Sequence, residues 1–473
     1  MKHRFFLFAT LLLTMFRPTS ACGDTDFETA RLKVLAVNPP GISLTLRLPD
    51  GRTQFHQGEV IPLTAIFASS LPKAYQLNIG AGDRELPWNS DSFQVDNPVG
   101  AVDPLRLHYG HVLSEAFSGG GPQFQDLDQQ PVSVPYTVNE WLRFDAPGKY
   151  RVYLTSGRIV DRGRQVRSLL HFEGRDTTSN AVDLEILPDD PVWDARTLQQ
   201  VLPLFNAEGF DPQKQKARQA AVRAVRFLGT PDAARAMIAR YGHFADTLFW
   251  SSPAYDQTRL GLFGFPKPAV VIQEMECRLA DPDFPVFNDF LYDLAQVQFF
   301  AAYSQPLPPY PAAEPKTHQW YALRTHLQAV LATLADQNRQ TLAWAADTKR
   351  GKARAVSLYT LLQADYAHQG TPEHQELARA LVPVFDDLTP EEQANLLGDD
   401  LWPLLRGPDM LPVLRRLSAA PPDADRDSAL GYEAGQRQSL ALRRLTELSP
   451  AEGRDLLLEQ RGLRPKAKLP PIH

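Results

Sequence analysis

Cysteine is scarce in this sequence: Cys22 and Cys277 are the two in 473 residues. A pair so far apart excludes a disulfide framework as the device that holds the fold. Catalytic punctuation is missing too. The chain carries no GxSxG elbow, no HExxH, no CxxC and no phosphate loop that joins a strand to a lysine-bearing helix. Gly80-Ala81-Gly82 and Gly119-Gly120-Gly121 lack that context, so no cofactor is expected. Past residue 21 no run of 18 apolar residues occurs, which excludes a later membrane-spanning helix. Positive charge is not in excess either: 49 Lys and Arg stand against 55 Asp and Glu, a net charge of −6. That balance argues against nucleic acid as a partner.

What is present begins with MKHRFFLFATLLLTMFRPTSAC. Lys2 and Arg4 precede an apolar core over Phe5–Phe16, and Thr19-Ser20-Ala21 supplies small residues for a cut. This order predicts a secretory signal over residues 1–21 and an exported protein. Its removal leaves 46 basic and 55 acidic residues, a net charge of −9. Cys22 would then stand first. The arrangement resembles a lipoprotein signal, with Thr19 where that family has an aliphatic residue. The resemblance implies a lipid on Cys22 as the one route to a membrane.

Two periods divide the remainder, and at this length two or three domains are expected. From about Leu32 to Leu187 apolar residues alternate, as in Ile42, Leu44, Leu46 and Leu48 before the Pro49-Asp50-Gly51 turn. The same alternation places Tyr150, Val152 and Leu154 on one strand face after Pro147-Gly148, and Val182, Leu184 and Ile186 on another. The pattern predicts an antiparallel β-sandwich over residues 30–190. Residues 79–135, rich in Gly, Pro, Asp and Gln, read as a loop insertion within it. The "G-E-x-I-P-L", "P-G-K-Y-R-V" and "V-D-L-E-I" phrases resemble secreted bacterial immunoglobulin-like modules. That likeness implies adhesion, spacing or binding.

After Asp189-Asp190-Pro191 the apolar spacing becomes three and four, and residues 191–463 read as an all-α domain, followed by a tail over 464–473. The stretch RFLGTPDAARAMIARYG shows its logic. Gly229 suits a left-handed helix end, Thr230 an N-cap and Pro231 the first helical position. A looser echo follows at Phe263-Gly264, 35 residues on from Leu228-Gly229, with a further corner at Ala280-Asp281-Pro282. The "L-G-T-P-D-A" and "L-x-D-P-D-x-x-V" corners resemble HEAT-type α-solenoid repeats. The alternative reading of this half is a compact, irregular helical domain.

Candidate chemistry is thin. His108, His111 and Glu115 are the nearest approach to a metal constellation, with Asp126 and Asp128 beyond them. On a helix, imidazoles three apart can meet one Zn²⁺ with a carboxylate completing the set, and Gly110 argues against a helix there. The bland reading is ordinary loop polarity. Cys277 in MECRL reads as a small buried hydrophobe. Phe249-Trp250, Phe299-Phe300 and Trp320-Tyr321 read as helix core, and Arg415-Arg416 and Arg443-Arg444 as solvated helix faces. The solenoid likeness implies a non-enzymatic exported scaffold that holds a protein or peptide partner on its helical surface. Two other classes compete: an envelope hydrolase or metal-dependent enzyme with its site in 79–135, and a structural envelope component tethered through lipidated Cys22.

Overall fold

A computed structural model describes residues 22–80, 84, 91–112, 123–163, 174–207, 212–241, 253–307, 318–364, 370–419 and 429–460. The signal, Glu115, Phe249-Trp250 and the tail lie outside these residues. Strands fill the N-terminal part and helices most of the rest. The chain divides into two compact units, Met1–Asp103 with Glu115–Asp189 and Pro104–Ser114 with Asp190–His473.

The first unit opens with helix α1 (Cys22–Leu35), so the strand reading from Leu32 is corrected: strands start at β1 (Ile42–Arg47). The helix holds there through Glu28–Arg31, spaced i,i+3, and through Phe27, buried against the Tyr153 ring at 5.2 Å. The remaining strands are β2 (Gln54–His56), β3 (Pro62–Ser69), β4 (Tyr75–Asn78), β5 (Ser92–Val95), β6 (Ala101–Val102), β7 (Phe124–Leu127), β8 (Val132–Thr137), β9 (Arg143–Phe144), β10 (Gly148–Asp161), β11 (Arg175–Thr178) and β12 (Val182–Leu187).

One sheet runs β1-β3-β8 and a second β2-β12-β10-β4-β7, with β5 and β11 also pairing the long β10, while β6 pairs β9. Pairing is antiparallel except for β12 with β2. Both sheets feed one core: Leu46, Ala65 and Phe67 from the first, Leu77, Val152, Leu154 and Leu184 from the second. Each sits where period-two alternation puts it. The described residues of 79–135 are not all loop: they contain β5, β6, β7, the start of β8 and a helix, α2 (Arg106–Val112). Strands of two to four residues are too short to show alternation. Pro135 disguises β8, which tolerates it as a sheet edge.

In the second unit α3 (Pro191–Phe205) starts where Asp190 accepts from the Val192 and Trp193 amides at 3.0 and 3.1 Å. Then come α4 (Pro212–Leu228), α5 (Pro231–Arg240), α6 (Pro253–Phe263), α7 (Pro268–Ala280), α8 (Asn288–Ala302) and α9 (His318–Ala346). They continue as α10 (Gly351–Ala364), α11 (Pro372–Leu381), α12 (Pro390–Leu397), α13 (Trp402–Leu405), α14 (Leu411–Ala419), α15 (Ala429–Leu448) and α16 (Pro450–Gln460).

The corner between α4 and α5 forms as its residues dictate. Gly229 adopts φ +65°, Thr230 Oγ1 accepts from the Ala233 amide at 3.3 Å and Pro231 opens α5. Helix α4 packs on α5 and α6, α5 on α7, α6 on α8, and α7 on both α8 and α9. A Cβ added at Gly229 would come within 2.8 Å of Pro266 Cγ, so this corner touches its echo, 37 positions further along the chain. Toward the C-terminus α15 packs on α12, α14 and α16.

Candidate functional site

Polar residues on an otherwise apolar helix face mark an extended cluster in the second unit that combines buried charge with aromatic rings. On α6, Tyr255, Arg259 and Phe263 recur every fourth residue, which lines them along one face. On α8, Asp289, Asp293, Gln296 and Phe300 follow at spacings of four, three and four, which also keeps them along one face. Asp293 is fully buried; Arg259 holds it with Nε at 2.9 and 3.1 Å and a terminal nitrogen at 2.8 Å. The Tyr241 hydroxyl, one residue past α5, donates to the same carboxylate at 2.5 Å.

Aromatic faces extend the line. The Arg259 guanidinium lies 5.5 Å from the Tyr255 centroid and 5.6 Å from that of Phe263. Phe263 in turn meets His108 at 5.0 Å and Phe300 at 5.9 Å. His108 closes the series: Gln296 Nε2 donates to its Nδ1 at 3.0 Å.

Electrostatics set the character of this cluster. Burial pushes the Asp293 carboxyl up to about 6, against the opposing pull of Arg259 and the Tyr241 hydrogen bond. Burial and then the Asp293 charge raise the Tyr241 and Tyr255 phenols. Burial works to lower Arg259, and the Asp293 carboxylate more than reverses it. Both Asp293 oxygens are engaged and the group has no open face, so this geometry suits a brace across α5, α6 and α8.

His108 therefore falls on a helix despite Gly110, in the second unit, with its neighbours Leu105 and Tyr109 in the helical core. His111 shares α2, though its side chain and Glu115 lie outside the described residues. Among the described residues no group of three His, Cys, Asp or Glu is placed to hold a metal ion. Asp126, on β7, binds Gln76 at 2.8 Å and Arg162 at 3.0 Å, while Asp128 accepts from the Gln130 amide at 2.7 Å. Cys22 is the first residue of α1, and its side chain is likewise outside the description.

Two expectations are corrected here. Cys277 is exposed, because Val271, Met275 and Leu279 form the buried stripe of α7 and position 277 falls opposite it. Arg444 is buried rather than solvated, donating to the Leu397 carbonyl at 2.8 Å and pairing with Asp399 and Glu447 at 2.6 Å. Its neighbour Arg443 and the Arg415-Arg416 pair are exposed. Sequence reasoning missed Asp293, Arg259, Tyr241 and Gln296. The available signal was a carboxylate set among Phe290, Leu291, Leu294 and Val297 in an apolar stripe.

The chain matches no protein-family model and no curated protein sequence. Among solved structures it is similar to Salmonella alpha-2-macroglobulin reacted with methylamine, at 10% identity and a TM-score of 0.16. That match covers 86% of this chain and 27% of the macroglobulin chain. The Y1175G mutant of the same Salmonella protein aligns with the same identity, coverage and TM-score. The chain thus spans about a quarter of the length of the structures it matches, and a TM-score this low gives no basis for a fold assignment.

Proposed function

We propose that this is an exported, non-enzymatic scaffold whose helical unit holds a protein or peptide partner. The observation that carries the proposal is the seating of α2: the short helix Arg106–Val112 belongs to the second unit, with Tyr109 and the preceding Leu105 in its core. A set of helices that accommodates such a segment has the surface a helical ligand needs.

HEAT-like stacking is part of the same reading. Its support is the succession of contacts in which α4, α6 and α8 pack in one row and α5, α7 and α9 in another. The contact of Gly229 with Pro266 joins two corresponding corners of those rows. Such rows make an extended surface without any chemically activated residue. Immunoglobulin-like character of the first unit belongs to the proposal as well. The Tyr150 hydroxyl, near the start of β10, donates to the Ala146 carbonyl at 2.7 Å and lies 3.1 Å from that of Gly100. That is the pattern of a tyrosine corner. Export rests on the basic, apolar and small-residue order of residues 1–21.

Photo-cross-linking in the producing cell tests the reading. A photoreactive residue replaces Trp344, 70% exposed on α9, or Val99, 90% exposed in the first unit. Adducts from position 344 are expected, and adducts from position 99 alone would remove the scaffold assignment. Any isolated helical fragment must include residues 104–114, because Leu105 and Tyr109 complete its core.

A further inference from the structure

We infer that α2 is a displaceable internal ligand, seated in a groove that takes short amphipathic helices from a protein partner. This deepens the scaffold reading and rests on it. The groove is formed by α6, α8 and α9 together with the Gly264 corner. At its floor Gly264 sits close against the start of this segment: a Cβ there would lie 3.1 Å from Pro104 Cβ and 3.3 Å from Leu105 Cδ2, so those atoms would have to give by a few tenths of an ångström. Leu105 and Tyr109, at i and i+4, bury their side chains in the helical core. His108, at i+3, stacks on Phe263 and accepts from Gln296.

Those contacts define what the groove reads. Gln296 is itself buried, so its amide needs an acceptor from whatever occupies the groove. The matching partner is a helix with a branched aliphatic residue, an acceptor side chain three positions on and an aromatic residue at the fourth.

Other features point to an occupant that can leave. Helix α2 has seven residues, far fewer than a helix needs for stability of its own. It also has a glycine, Gly110, in its interior, which favours the unfolded chain. Its conformation therefore depends on the groove, and a partner helix with better intrinsic propensity competes at an advantage.

The test uses the full chain and a fluorescein-labelled peptide of residues 103–114, followed by anisotropy. The Leu105→Ala/Tyr109→Ala chain, with a weakened resident and an intact groove, is expected to bind the peptide at least tenfold more tightly than the unmodified chain. The same two changes placed in the peptide should abolish binding. Equal affinity of the two chains, or binding of the altered peptide, would overturn the inference.

If the double variant fails to fold, hydrogen exchange of the unmodified chain decides. Excess peptide should accelerate exchange of the α2 amides, Tyr109 included, and leave those of α6 and α8 unchanged; no acceleration refutes displacement. Cross-linking from Trp344 does not depend on α2. Adducts there without peptide binding would leave the scaffold standing and remove only the groove.

Discussion

Replacing Arg259 by Met, which keeps the length of the side chain and removes its charge, would leave the Asp293 carboxylate buried without its cation. Breaking a buried pair in this way costs about 3–5 kcal/mol. Tyr241 still donates to Asp293, so the lower end, about 3 kcal/mol, is expected near pH 8. The loss should depend on pH in a defined direction. Asp293 is raised from 3.8 to about 6 by burial, so the folded state holds this proton more tightly than the unfolded chain. Its contribution is fully present below pH ~4 and is lost as pH rises through about 6. The shift of about two units sets an upper bound near 3 kcal/mol. Removing Arg259 takes away an influence that lowers the Asp293 pKa, so the variant titrates higher still. At pH 5 a neutral Asp293 no longer needs a cation, and the deficit should fall to about 1 kcal/mol. Urea unfolding followed by helical circular dichroism at pH 8 and pH 5 measures both values. Arg259→Met/Asp293→Asn should recover most of the pH 8 loss. A deficit equal at the two pH values would refute the buried-carboxylate argument.

Further expectations rest on other parts of the molecule. Tyr150→Phe removes the hydroxyl that bonds Ala146, and should lower the stability of the first unit by about 1–2 kcal/mol in urea melts. Lys349 donates to the carbonyls of Asp281 at 2.6 Å and Phe284 at 2.8 Å, and burial lowers its pKa to about 8. Between pH ~8 and ~10.5 the unfolded chain binds the extra proton, so stability of the unmodified chain should rise across that window. Lys349→Met should flatten the rise, as read by melting temperature against pH. Exposed Cys277 should react with a maleimide in the folded protein at the rate of an unhindered thiol, whereas protection until urea is added would contradict its placement on α7.

Features written in neighbouring residues are legible in the sequence. Gly229, Thr230 and Pro231 each have a local reason for their place in the corner, and the alternation in β10 and β12 depends on nothing distant. Helix α2 was not legible, because Gly110 argues locally for a loop and the tertiary seating of Leu105 and Tyr109 overrides it. The seam around Asp293 was hidden for a different reason. Its partners Arg259 and Tyr241 lie 34 and 52 residues away, and no local spacing reports such a meeting. Cys277 was misplaced although the information was at hand: Val271, Met275 and Leu279 define the buried stripe, and position 277 lies outside it.

The stacking of corresponding corners is central to the scaffold reading, and a double-mutant cycle between Gly229→Ala and Pro266→Ala tests it most directly. Alanine at position 229 pays about 1 kcal/mol for φ +65° in any background. Its Cβ, 2.8 Å from Pro266 Cγ, adds about 1–3 kcal/mol of overlap when the ring is present. The expected result is a coupling above about 1 kcal/mol, with Gly229→Ala much milder in the Pro266→Ala chain. Additivity within about 0.5 kcal/mol would contradict the stack, since two corners that do not touch have nothing to relieve.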